Sequence, residues 1–316
     1  MPGPARGSAN LGPADGAGTI ARVNHGSAGV IGVGNMGLAM AARLGEGGRP
    51  VFVRDVRAER EAMAARGGAE ACATPAELAR RCEVVIVAVV DAAQTDDVLF
   101  RSDGAAAAAE PGACVVLCPT IAPESVEAIA SRLDDLGIDW IEAPMSGGPA
   151  RARAGTMSLM VACRDGVFER HAALLAALAD PVFRLGERAG DGARTKLVNN
   201  LLAAINLAGA AEALALAERV GLDPARTLAV IERSSGQSWI GSDRLARALA
   251  GDAAPRAHTA LLAKDSQLAV AMAADAGVQP RLGSVAAATF GAAVDAGHGA
   301  EDDASLFAFL RDRAAG

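Results

Sequence analysis

The sequence lacks a basic stripe. Its 30 lysines and arginines are outnumbered by 37 acidic residues, giving a net charge of −7, whereas nucleic-acid binders cluster cations that displace counterions from phosphates. No nucleic-acid partner is expected. Paired cysteines are lacking too: Cys72, Cys82, Cys114, Cys118 and Cys163 are odd in number, form no C-x-x-C, and have no histidine spaced to complete a zinc site. They read as small buried hydrophobes in a reducing cytoplasm, with no metal. The opening segment has no apolar core of a secretory signal, and its Gly, Pro and Ala content reads as a disordered tail over residues 1–27. No uninterrupted run of about 18 apolar residues exists to span a bilayer, so no membrane partner is expected. Internal repeats are absent as well.

What the chain does have is an alternation. Hydrophobic residues make up 51% and charged residues 21% of 316, the balance of a globular chain long enough for two domains. From 28 to 190, short β-rich runs ("AGVIGVG", "PVFVRD", "EVVIVAVV", "ACVVLCP", "IDWIEAP", "TMSLMVA") alternate with Ala-rich helical stretches such as 36–48, 123–136 and 166–179. Near-continuous Val and Ile suit strands buried on both faces of a parallel sheet. The fold class is therefore α/β, an N-terminal doubly wound Rossmann domain over 28–190. From 191 to 316 nothing resembles a strand, and an all-α domain is expected, entered by a helix of almost thirty residues. Gly221 would close that helix, with Asp223 capping the next and Pro224 at its first position; further helices are placed at 224–234, 242–250, 258–276, 280–296 and 302–313.

The first strand runs into "GVGNMG", placing Gly32, Gly34 and Gly37, with Asn35 and Met36 between them, at a strand-to-helix turn. In that context Gly32 permits a tight turn, Gly34 the approach of a pyrophosphate, and Gly37 close packing of helix on strand. Asp55 ends the second strand 23 residues after Gly32, the offset of an acid that takes both ribose hydroxyls. A carboxylate there repels a 2′-phosphate, so NAD is favoured over NADP, although Arg54 and Arg57 could fork onto a phosphate.

Two later stretches suggest the chemistry. "APMSGG" sets Ser146, Gly147 and Gly148 just after a strand end, in a loop able to cradle a carboxylate. "GARTKLVNN" puts Lys196, Asn199 and Asn200 at i, i+3 and i+4, on one helix face. Spacing alone leaves open whether this lysine meets a substrate or only solvent.

Taken together, "GVGNMGLAMAARL", "APMSGG", "GARTKLVNN" and "AKDSQLA" resemble the β-hydroxyacid dehydrogenase family, from residue 28 to about 310. The resemblance implies a Rossmann domain joined by a long helix to a helical domain, an active site in the cleft between them, and a homodimer or homotetramer. It implies that Lys196 is catalytic, that Ser146, Gly147 and Gly148 bind the substrate carboxylate, and that Asn200, with Asn199 beside it, positions the substrate. Thr120 is expected near the nicotinamide, and Lys264 on the cofactor side of the cleft with Asp265 supporting it. A lysine serves as base only if burial and neighbouring positive charge such as Lys264 bring its pKa down from about 10.4 toward operating pH.

Within the family, relatives acting on 3-hydroxyisobutyrate or tartronate semialdehyde usually carry Phe eight residues before the Asp of "KD"; here that position is Ala257, after Arg256. "SSGQSW" and "AGHGAEDDASL" are similar to members acting on four-carbon sugar acids such as L-threonate. The expected reaction is NAD-dependent oxidation of such an acid at C2. The alternatives are 3-hydroxyisobutyrate oxidation, tartronate semialdehyde reduction, or a catalytically silent dinucleotide-binding scaffold. Trp239 is expected to pack beneath a loop, His258 to be a surface or interdomain side chain, and the acidic run Glu301, Asp302, Asp303 to cap a helix.

Overall fold

The computed structural model describes residues 26–313. Residues 1–25, nearly all of the expected tail, lie outside that range. Ser27, counted with the tail, is tied into the fold: its Oγ donates to the Arg81 carbonyl at 2.6 Å.

The first half runs β1 (Ala28–Ile31), α1 (Asn35–Glu46), β2 (Val51–Arg54), α2 (Ala58–Arg66), β3 (Glu70–Ala71), α3 (Pro75–Arg80), β4 (Val84–Val87), α4 (Ala92–Phe100), β5 (Cys114–Leu117), α5 (Pro123–Asp135), β6 (Asp139–Glu142), β7 (Met145–Ser146), α6 (Gly148–Ala154), β8 (Met157–Ala162), α7 (Asp165–Leu178) and β9 (Ala179–Gly186). The strand order is β3-β2-β1-β4-β5-β6-β8-β7, with β9 also on β8. β1 to β6 are all parallel. The central strands β1, β4 and β5 are buried at every position, so they are written in unbroken apolar residues. β2, nearer the edge, alternates buried and half-buried.

The structure departs from the sequence expectation beyond β6. The "TMSLMVA" strand forms as β8, but it lies antiparallel to β6 and β7. β9 was not expected at all: its "ADPVFRLG" is mostly half-buried or exposed, so the edge of the sheet needs no run of Val and Ile there. β3 and β7, two residues each, are too short to leave a periodic signal.

The second half contains helices and no named strand among the described residues: α8 (Asp191–Arg219), α9 (Pro224–Ile231), α10 (Trp239–Leu249), α11 (Thr259–Asp275), α12 (Arg281–Asp295) and α13 (Leu306–Arg313). Gly221 takes φ +84° just past α8, and the Asp223 carboxylate accepts the Arg226 N–H at 2.7 Å to start α9. Several boundaries move: α9 ends at Ile231, three residues before the expected 234. α10 starts at Trp239 because the Ser238 hydroxyl caps it, accepting from Gly241 N–H at 3.2 Å. The helix expected from 302 begins at Leu306, after a 3-10 turn over Asp303–Ser305 that Asp302 caps.

One helix bears on the membrane expectation without overturning it. α8 is long enough, and over its most apolar 18 residues hydrophobic enough (mean hydropathy 1.5), to cross a bilayer. Polar residues interrupt it, so no uninterrupted run was visible. Its Ala204, Leu207, Ala211 and Leu214 form the spine of the helical core with Leu245, Phe290 and Leu306. A core helix passes the same length and composition test.

Candidate active site

The cleft is built first at the turn from β1 to α1. Gly32 has φ +89°, and a Cβ there would lie 2.8 Å from the Ala88 carbonyl. At Gly37 a Cβ would lie 1.9 Å from the Gly32 carbonyl oxygen, so only glycine lets helix and turn meet. Gly34 faces open space, and the first turn of α1 carries no side-chain cap, leaving its N–H groups to a ligand. Asp55, 8% exposed, braces this turn by accepting from Val33 N–H at 2.8 Å and Arg57 N–H at 3.0 Å. The residues fit a dinucleotide: donors and open space for pyrophosphate, and an acid beyond it. Arg54 is engaged with Glu61 at 2.7 Å, whereas Arg57 is half exposed and 3.7 Å from Asp55.

Opposite this turn, Gly147 and Gly148 take φ +124° and +76°, conformations that exclude L side chains, and α6 starts at Gly148 without a side-chain cap. Ser146 leads into them from β7, half-buried, its carbonyl accepting from Ser158 Oγ at 3.4 Å.

α8 supplies the lysine. Its first turn is held by Glu142 at the end of β6, a carboxylate 1% exposed that accepts N–H groups of Gly190, Gly192 and Ala193 at 2.9, 3.1 and 2.5 Å. Burial outweighs those three donors and pushes Glu142 up to about 7. One turn on, Lys196 is 7% exposed, and its pKa is brought down to about 8, by burial first and by Lys264 in addition, against the opposing pull of Asp265. Asp265 sits at the centre of a buried chain: it accepts from Asn200 Nδ2 at 2.6 Å and from Lys264 Nζ at 2.7 Å. Asn200 Oδ1 in turn accepts from Asn199 at 3.1 Å. Lys264 also donates to the Thr120 carbonyl at 2.5 Å, fastening α11 to the loop after β5.

Every site residue expected from the sequence except Gly37, which is packed behind the turn, lines one cleft of about 1090 Å³ between the halves, whereas Glu142 and the N–H groups it holds lie outside its wall. Gln94, Asn206, Arg244 and Asp303 line it as well, and the sequence expectations did not include them in the site. Asn206 lies on the face of α8 that carries Lys196, Asn199 and Ala203, a spacing that could have flagged it. Arg244 carried no signal of its own, because it reaches the cleft from α10, a separate helix. One expectation is corrected: Trp239 is not packed beneath a loop but 53% exposed at the cleft. The acidic run does cap a helical turn, through Asp302, while Asp303 within that turn pairs with Arg244 at 2.5 Å. His258 heads α11 with Nδ1 against the Ala300 carbonyl at 2.8 Å. Among the described residues, no group of three His, Cys, Asp or Glu is placed to hold a metal.

Comparison with known proteins follows the same division. Residues 27–186 match the NAD-binding domain of 6-phosphogluconate dehydrogenase, and residues 190–310 match the NAD-binding domain of NADP-dependent 3-hydroxyisobutyrate dehydrogenase. The chain is 40% identical over 278 residues to L-threonate dehydrogenase of Cupriavidus necator, covering 88% of this chain and 94% of that one. A crystal structure of 3-hydroxyisobutyrate dehydrogenase from Salmonella typhimurium superposes with a TM-score of 0.84 at 32% identity, covering 90% and 99% of the two chains. Psf3 in complex with NADP+ and 2-OPP gives 0.84 at 30%, with the same coverage. With the fold, the glycine-rich turn and matches over nearly all described residues in agreement, the chain belongs to the β-hydroxyacid dehydrogenase family of NAD(P)-dependent oxidoreductases acting on CH–OH groups.

Proposed function

We propose that this enzyme oxidises a four-carbon sugar acid, L-threonate first among them, to the oxo acid with NAD. The observation that carries the proposal is Lys196: a buried amine with its pKa brought down to about 8, on the wall of a cleft that also holds the Ser146-Gly147-Gly148 turn and the glycine-rich turn. A solvated surface lysine would be neither buried nor shifted.

A bound nicotinamide would supply the hydride acceptor for the carbinol carbon. The chain supplies the rest. Neutral Lys196 removes the hydroxyl proton at Nζ and becomes an ammonium; in the reverse direction that ammonium donates the proton. The Ser146-Gly147-Gly148 turn takes the substrate carboxylate, which fixes which carbon faces the lysine. Asn200, locked by Asp265, offers its amide to the substrate, with Asn199 beside it. Lys264 holds the helical half against Thr120, next to the place for the nicotinamide. Asn35, Met36 and the glycines of the turn take the pyrophosphate, and Gly37 keeps helix and turn close.

The NAD preference is supported by Asp55, a buried acid lining the cleft whose charge would repel a 2′-phosphate, while Arg54 is already committed to Glu61. We divide the chain at 190/191 between cofactor and helical domains. We further read it as cytoplasmic, supported by five buried, unpaired cysteines, and as a homodimer or homotetramer. For the oligomer the support is apolar side chains left exposed on α8 and α12, including Val198, Leu202, Leu216, Leu282 and Val285.

The deciding assay follows reduced-cofactor formation from L-threonate, 3-hydroxyisobutyrate and glycerate with NAD and with NADP. The proposal expects the highest kcat/KM for L-threonate with NAD; a preference for 3-hydroxyisobutyrate would replace it with the short-chain alternative, and inactivity on all three would favour a silent scaffold.

A further inference from the structure

At the helical end of the cleft the wall is an ion-paired cluster rather than apolar packing. Arg244, on α10, has a side chain 13% exposed; its Nε donates to Asp303 Oδ1 at 2.5 Å and its Nη1 to Asp243 Oδ2 at 2.6 Å. Asp303, with a side chain 3% exposed, nevertheless borders the cleft, and its own N–H donates to the Ala257 carbonyl at 2.8 Å. Behind it, buried Asp302 pins the neighbouring segment by accepting N–H groups of Arg256 and Ala257 at 2.7 and 3.3 Å, and Arg247 lies 2.9 Å from Asp302. Ala257, hydrogen-bonded through its carbonyl to Asp303, lines the same cleft with only a methyl as its side chain.

A buried ion pair that served stability alone would gain nothing by bordering a ligand cavity, because desolvation costs it as much as pairing returns. Here the charges also nearly cancel: two guanidinium groups, Arg244 and Arg247, face three carboxylates, Asp243, Asp302 and Asp303. A second carboxylate on a ligand would therefore meet no net positive charge. An alkyl end would cover polar groups without satisfying them. A hydroxyl does both jobs, accepting from the guanidinium and donating to the carboxylate.

We infer that the Arg244–Asp303 pair reads the distal hydroxyls of the substrate, and so selects polyhydroxylated acids over alkyl-ended and dicarboxylic acids of the same length. This rests on the hydroxy-acid reading of the same cleft. The anchor at Ser146-Gly147-Gly148 holds the carboxylate common to all these acids, and the pair at the far end distinguishes them.

The test compares three four-carbon 2-hydroxy acids that differ only in the distal groups: L-threonate, 2-hydroxybutyrate and malate. For the wild type, kcat/KM should be highest for L-threonate. In Arg244→Met the ratio of kcat/KM for L-threonate to that for 2-hydroxybutyrate should fall roughly 10- to 100-fold, as loss of a charged hydrogen bond to a hydroxyl predicts. Cofactor binding, read by NADH fluorescence, checks that Arg244→Met is folded. Should it not fold, Ala257→Phe, which enlarges a side chain lining the same cleft and leaves the pair's charges in place, must lower the same ratio. An unchanged ratio in a folded Arg244→Met, or in Ala257→Phe where that variant decides, overturns this inference alone. A wild type active on hydroxy acids but preferring malate or 2-hydroxybutyrate overturns it too, and a wild type inert toward all three overturns the hydroxy-acid reading with it.

Discussion

At the scale of single residues, burial does most to lower the Lys196 pKa, and Asp265 is the neighbour that ties the site's polar groups together. It opposes the fall in the Lys196 pKa while binding both Asn200 and Lys264. Removing its charge has a definite sign: the ammonium form of Lys196 loses a stabilising neighbour, so its pKa drops further below about 8. Asp265→Asn should therefore shift the rising, acidic limb of the oxidation pH profile toward lower pH, and lower kcat because Asn200 and Lys264 lose their common anchor. A profile that stays in place would deny Asp265 this part. Lys196, Asn199 and Asn200 were legible because one helix carries them at contact spacing, so local periodicity predicts their shared face. Arg244 was not, because it is separated from Lys196 by nearly fifty residues of chain and only tertiary packing brings both to one cleft.

Among elements, α8 has two tasks along one length. Its first turns present Lys196 and Asn200, and its later turns supply Ala204, Leu207, Ala211 and Leu214 to the helical core. Glu142 sets its starting point, since β6 ends where its carboxylate can take three N–H groups of the first turn. Glu142→Ala would strand those donors and should cost about 2–3 kcal/mol in urea unfolding. It should also weaken pH dependence: Glu142 binds its proton more tightly folded than unfolded, so its contribution to stability falls as pH rises from about 4.5 to about 7. Equal stability of the two proteins across that range would contradict the helix-anchoring role. The sequence marked β1, β4, β5 and α8 well, since full burial demands unbroken apolar residues and a long helix repeats its pattern many times. It did not mark β9, whose edge position asks little of its side chains, nor the Glu142 clamp, because a glutamate ending a strand looks like any solvated acid.

For the molecule as a whole, function depends on two halves meeting over a cleft. Their division was visible as a change from alternating strands and helices to helices alone, a difference of period that needs no tertiary information. Their junction was not visible. It is held by side chains reaching across, Asn35 Nδ2 to the Pro255 carbonyl at 3.2 Å and Lys264 Nζ to the Thr120 carbonyl at 2.5 Å, partners 220 and 144 residues apart. The glycine-rich turn and the helix that carries Lys196 thus line one cleft only in the assembled fold, where burial changes what Lys196 can do. The most direct measurement of that claim is the pH dependence of kcat/KM for L-threonate oxidation, with Lys196→Ala as the reference. Because the base must be neutral, activity should rise about tenfold per pH unit below about 8 and level off above it, and Lys196→Ala should bind NADH yet turn over at least about 1000-fold more slowly. A flat profile through pH 8, or a Lys196→Ala enzyme with near-wild-type turnover, would contradict it.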